Sequence, residues 1–151
     1  MACFQLHTEI DIDAPVARVW AVLVDFASYP RWNPFIVSVR GRPEVGARLR
    51  ITLQSEAGKR MRFSPRVTVA DPGRELRWLG RLLLPGLFDG EHRFLLEVLA
   101  ADKTRLVHSE SFRGLLVRPL QGSLQRDTRR GFEAMNRALQ ARVEADNTYV
   151  K

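Results

Sequence analysis

Between Gly122 and Asp146 the chain contains no proline and only Gly131 as an internal glycine, while Leu124, Phe132, Met135, Leu139 and Val143 recur at three- to four-residue spacing. That period gathers the apolar side chains on one helical face, with Arg126, Arg129, Arg130, Arg137 and Arg142 mostly elsewhere on the wheel. One long amphipathic helix is therefore predicted over 122 to 146, and it needs an apolar surface to cover. The rest of the chain has to supply that surface.

It does so with strands. Phe4, Leu6, Ile10 and Ile12 alternate with polar residues, Thr8 being the exception. Further alternating runs near 35 to 40, 47 to 54, 60 to 70, 74 to 82, 88 to 99 and 103 to 113 are separated by turn signals such as SEAGK, ADPGR and AADKT. Between the first two strands, DAPVARVWAVLVDF reads as a short amphipathic helix with Asp13 as N-cap and Pro15 near its first turn. It should stop near 25 to 27, because residues before Pro30 and Pro34 are pushed away from helical geometry. A second short helical piece fits before SYPRWNPFI turns into the next strand, with Asn33 bonding nearby backbone to define the turn. The order is thus strand, one or two short helices, six strands and a long helix, all within one domain spanning 1 to 151. A curved antiparallel sheet with the helix laid across its apolar face is the layer solution to that order, an α+β fold.

The stretches IDAPVARVWAVLVDFASYPRWNPFI, LPGLFDGEHRFLLE, TRLVHSESFRGLL and LQRDTRRGFEAMN, in this sequence and over nearly the whole chain, resemble the START-like helix-grip superfamily. More narrowly they resemble the SRPBCC group of polyketide cyclase/dehydrase and lipid-transport proteins. The resemblance implies a seven-stranded sheet wrapped around the terminal helix with a ligand cavity between them. It leaves function open, since the same hollow scaffold serves lipid transfer, small-molecule binding, cyclisation and dehydration.

Strand alternation assigns faces independently of that resemblance. In DGEHRFLLEV, His92, Phe94, Leu96 and Val98 share one side and the more charged set, Glu91, Arg93 and Glu97, shares the other. In TRLVHSESF, Leu106, His108, Glu110 and Phe112 share a side. Two imidazoles and a carboxyl therefore converge on an apolar interior, unless a bulge turns Glu110 outward. Three roles are open to this trio: acid-base catalysis by Glu110 with His92 or His108, polar anchoring of a ligand, or mutual satisfaction of a polar spot in the wall. The same counting turns Phe63, Trp78, Phe94, Phe112, Phe132, Met135 and Leu139 inward, and places Tyr29, Trp32 and Phe35 near a cavity mouth. Each can line a pocket or simply pack.

The chain carries 24 Lys and Arg against 17 Asp and Glu, a formal charge of +7. Because Arg50, Arg62, Arg66 and Arg77 alternate with inward residues, the excess reads as a solvated outer sheet face and no nucleic-acid partner is expected. No Walker loop, GxGxxG turn, paired cysteines or HExxH spacing occurs, so neither a cofactor nor a metal is expected. Cys3 stands alone, the N-terminal residues do not form a signal sequence, and no run spans a bilayer, which makes a cytoplasmic protein the expectation. The leucines at 82 to 87 and 115 to 120, flanked by Arg113 and Arg118, form either a cap on one end or a greasy portal capable of transient membrane contact. The leading functional expectation is binding, transport or sequestration of a hydrophobic small molecule such as a lipid, isoprenoid or polyketide-like compound. The alternatives are a cyclase or dehydratase and a protein- or membrane-interaction module. Oligomeric state is not indicated.

Overall fold

The computed structural model describes residues 3–82 and 84–145, with backbone only for Leu82. Leu83, Asp146 and the terminal NTYVK segment, on which expectations above fall, lie outside the described residues.

The first strand, β1 (Cys3–Ile12), leads into α1 (Val16–Val24), a 3₁₀ turn (Phe26–Ser28) and α2 (Tyr29–Trp32). Pro15, not Asp13, stands at the cap position of α1. The expected exclusion of Tyr29 from helical geometry also fails, since its φ of −52° and ψ of −41° are helical. Pro30 falls in the first turn of α2, where a missing N–H removes no helical bond. Tertiary contacts hold Tyr29 there: its hydroxyl donates to the Leu23 carbonyl (2.5 Å), and its ring packs edge-on against Phe26 and Trp32. Asn33 Oδ1 then accepts the N–H groups of Phe35 (3.0 Å) and Ile36 (2.9 Å), turning the chain ahead of β2 (Ile36–Arg40).

The remaining strands are β3 (Arg50–Gln54), β4 (Arg60–Phe63), β5 (Arg66–Asp71), β6 (Glu75–Leu82), β7 (Phe88–Ala100) and β8 (Lys103–Arg113). They form two antiparallel sheets among the described residues, one in the order β1-β8-β7-β6-β5 and one in the order β2-β3-β4. The expected count of seven strands in one sheet is corrected accordingly, because the run at 60 to 70 breaks at Ser64 and Pro65, where proline interrupts regular pairing. The ladder is carried across the break by bonds from Leu49 N–H to the Pro65 carbonyl, from Val67 N–H to Ala47 and from Gly46 N–H to Val67.

The closing helix starts earlier than the expected Gly122. Helix α3 (Val117–Ser123) passes through a π-helical turn (Leu124–Thr128) into α4 (Arg129–Ala145). Pro119 belongs to the apolar stretch expected as a loop or cap, yet it is the third helical residue, where its N–H is not required. Gly131 permits the crossing of α4 over the start of β2: a Cβ there would lie 2.3 Å from the Phe35 ring. Phe132, Met135, Leu139 and Val143 of α4 are fully buried with Leu6, Leu76, Phe94 and Leu106 of the sheet. No helix among the described residues is long and apolar enough to cross a membrane.

Candidate functional site

Register places the inward residues of four strands in three cross-strand rows. The middle row runs Trp78, His92, Glu110, Leu6 across β6, β7, β8 and β1. Beside it on one side lies Leu76, Phe94, His108, Thr8, and on the other Gly80, Gly90, Phe112, Phe4. The register shift in the β7–β8 pair falls between Val98 and Ala100, away from Glu110, so the carboxyl keeps its inward face. The structure thus brings His92, His108 and Glu110 together.

A chain of polar contacts crosses the rows. His92 Nε2 lies 2.7 Å from His108 Nε2, and His108 Nδ1 lies 2.8 Å from Asn136 Oδ1 on α4. Asn136 Nδ2 donates to Thr8 Oγ1 (2.9 Å), whose hydroxyl donates to the His108 carbonyl (2.8 Å). At the other end, Glu110 Oε2 is 3.5 Å from His92 Nδ1. Aromatic plates enclose the imidazoles: Phe132 lies parallel to His108, with centroids 3.9 Å apart and planes 8° apart, and Trp78 stacks on His92 at 4.9 Å. Sequence reading missed Thr8 and Asn136, both buried. The available signals were a hydroxyl breaking the apolar side of the first strand and an amide one turn beyond Phe132.

Burial sets the titration of the cluster. It pushes the Glu110 carboxyl up to about 8 and His92 down to about 3. His108 is held well below the usual imidazole range, by burial first and by His92 second, against the opposing bond to Asn136. The Glu110 side chain remains 15% accessible where His92 is 4%, which makes the carboxyl the more open end of the chain.

Two facing glycines shape the space around it. A Cβ on Gly90 would sit 2.7 Å from Glu110 Oε1, so the carboxyl occupies the hollow that the missing side chain leaves. The Phe63 ring leans over Gly80 in the same way, 3.3 Å from where a Cβ would stand. Phe112 stacks on Phe4 and tilts against Phe88. Above this end, Leu115 and Leu116 donate their N–H groups to Gly86 and Leu87, tying the two apolar loops together. Gly114, at φ +131°, packs against the Leu87 carbonyl, where any Cβ would collide. Leu84, Leu115, Leu116 and Leu120 are exposed on this lid.

The other expected lining residues separate into two groups. Phe94, Phe132, Met135 and Leu139 have no surface open to a water-sized sphere, and Trp78 has almost none. They border no space that a water could fill and belong to the packed core. Tyr29 is enclosed as well, and half-buried Trp32 packs with it and bonds Ser28 Oγ at 3.3 Å, in a cluster apart from the imidazoles. Phe35 packs on Phe132 and borders a cleft of about 240 Å³ between the β3–β4 turn and the helix, shared with Gln54, Asp127 and Ala134. Among the described residues, Trp78 Nε1 is a buried donor without a hydrogen-bond partner, on a ring stacked on His92.

The family described as polyketide cyclase/dehydrase and lipid transport matches residues 4–144 of the chain. None of the curated proteins matches it in sequence. Among solved structures, the chain is similar to the Zhui aromatase/cyclase from Streptomyces sp. R1128, at a TM-score of 0.80 and 20% identity over 97% of this chain and 96% of that one. A START superfamily protein from Mycobacterium smegmatis aligns at 0.68 and 22% identity, over 93% and 97% of the two chains. A norcoclaurine synthase point mutant from Thalictrum, in complex with a transition-state analogue, aligns at 0.75 and 13%, over 97% of both. At these identities the likeness shows a common fold.

Proposed function

The chain belongs to the polyketide cyclase/dehydrase and lipid transport family, and from that membership we propose that it binds a hydrophobic small molecule, such as a lipid, isoprenoid or polyketide-like compound, at the Gly80–Gly90 end of the sheet beneath the α3 lid. The observation that carries this reading is a pair of facing inward glycines whose side-chain places are taken by the ends of two other side chains, Phe63 and Glu110. Two adjacent inward positions lack side chains, aromatic rings surround them, and a single partly accessible carboxyl projects into the gap. Binding sites for small apolar ligands have this composition, a mostly apolar wall with few polar groups to fix orientation.

Organic extraction of freshly purified protein and native mass spectrometry should find a bound apolar compound, or saturable uptake of one from a lipophilic library. Gly90→Ala should weaken that binding about tenfold, about 1.4 kcal/mol, because its Cβ displaces the carboxyl rather than the backbone. A chain that takes up nothing, or a Gly90→Ala variant that binds as the parent does, refutes the placement.

A second reading, a cyclase or dehydratase using Glu110 with His92 and His108, is favoured by a carboxyl that titrates near neutrality against an imidazole pair. Glu110→Gln and His108→Ala should then each lower kcat for an identified substrate by about 100-fold or more. Unchanged turnover in both would restrict the site to binding.

A further inference from the structure

We infer that Thr8 and Asn136 are positioning residues, which orient a one-way hydrogen-bond chain through His108 and His92 and thereby commit Glu110 to presenting a protonated carboxyl. The inference goes beyond ligand binding, since it concerns the protein's own protons.

The direction follows from one group that can only accept. The His108 carbonyl takes the Thr8 hydroxyl proton at 2.8 Å, so Thr8 Oγ1 must accept from Asn136, and the group facing it at 2.9 Å is the amide nitrogen. The amide oxygen therefore faces His108, whose Nδ1 has to carry a hydrogen to bond it at 2.8 Å. A neutral His108 then offers a lone pair at Nε2. The 2.7 Å contact between the two Nε2 atoms requires one shared hydrogen, which His92 supplies. His92 is left with a bare lone pair at Nδ1, turned toward Glu110 Oε2. A carboxylate there meets a lone pair, whereas a carboxylic acid meets an acceptor.

The same number of protons has two other arrangements: a Glu110 carboxylate with a His92 imidazolium, or, with each proton shifted along the chain, a Glu110 carboxylate with a His108 imidazolium. Location decides between them. His108 is wholly buried between Phe94 and Phe132, and His92 is buried among Trp78, Phe94 and Phe132, so either shift would create an ion pair with its cation in the core. Among the described residues no other charge intervenes from the surrounding elements, half-buried Arg129 of α4 donating to the His7 carbonyl of β1. The inward neighbours of Glu110 are Leu6 and Phe4 of β1, Gly90 and His92 of β7 and Phe112 of its own strand, with Trp78 of β6 next in its row; Phe132 and Asn136 of α4 pack over the imidazoles. His7, Arg77, Arg93 and Arg113 occupy the opposite face by alternation, and Arg126 and Asp127 above are exposed.

Nitrogen-15 NMR of the imidazoles, with carbon-13 titration of the Glu110 carboxyl, tests this on the intact chain. The expected result is two neutral rings of opposite tautomer, Nδ1–H for His108 and Nε2–H for His92, unchanged between about pH 5 and 8. Asn136→Ala should release both tautomers and lower the Glu110 midpoint by about one pH unit or more, because His92 Nδ1–H can then donate to the carboxylate. Asn136→Asp, which keeps an acceptor for His108, should restore Nδ1–H. Thr8→Val, nearly isosteric, frees the amide to turn and provides the same readout if Asn136→Ala fails to fold. An imidazolium near neutral pH, like tautomers in the two rings, or a Glu110 midpoint unmoved by both Asn136→Ala and Thr8→Val would overturn the inference.

Discussion

Stability of the wild-type chain should peak near pH 6.5 and fall on both sides, and Glu110→Gln should abolish the alkaline fall. The signs follow from proton uptake. Glu110 titrates at about 8 when folded against an ordinary 4.5, so between those values the folded state holds a proton that the unfolded state has lost. Stability therefore drops as pH rises through that window, by about 1.4 kcal/mol per pH unit. His92 has the opposite sign. It titrates at about 3 when folded against 6.5, so the unfolded state binds the extra proton and stability rises with pH up to 6.5. His108, shifted in the same direction, steepens that rise. Below 6.5 two imidazoles outweigh one carboxyl, and above it the carboxyl acts alone, removing about 2 kcal/mol between pH 6.5 and 8. Glutamine is neutral at every pH and keeps an N–H donor for His92 Nδ1, so it imitates the protonated acid. Urea titrations across pH 5 to about 9 should show the variant holding its midpoint where the parent loses it. Parallel curves for the two proteins would mean that Glu110 ionises normally in the fold.

Much of this cluster was legible in the sequence, for a specific reason. Period-two alternation survives intact along β7 and β8 from His92 to Glu110, so counting residues placed both imidazoles and the carboxyl on one face. Asn136 escaped because a wheel that tracks apolar residues passes over a single amide beside Met135. Gly80 and Gly90 could not be seen as a hollow until the register set them opposite each other. Local rules failed where tertiary contacts overrode them. Tyr29 is helical before a proline because its hydroxyl and ring are held, and Pro119 reads as a breaker until it is known to lie in a first turn. The filling of the interior was beyond periodicity altogether. Alternation says that Phe94, Phe132 and Met135 point inward, but only their volumes and the approach of α4 decide whether they line a space or close it.

Phe132→Ala should be the most damaging single truncation near the site, lowering stability by about 3–5 kcal/mol. The ring is fully buried, lies parallel to His108, faces His92 at 5.0 Å and meets Phe35 edge-on at 5.7 Å. Neither neighbour can collapse into the gap. Phe35 is held by the Asn33 turn and by its contact with Gly131, and the imidazoles are held by the bonds to Asn136 and to each other. A persistent void beside two ring nitrogens has polar partners, so water should enter it, where a purely apolar void would stay dry. That difference gives the variant a second signature. Hydrated imidazoles regain solvation for their charged forms, which moves His92 and His108 back toward ordinary values and flattens the acid side of the stability profile. Denaturant midpoints at pH 5 and about 6.5 check both effects, since the loss should be smaller at the lower pH. A loss under about 1 kcal/mol with an unchanged pH profile would show that the space collapses after all, and that desolvation of the imidazoles does not depend on this ring.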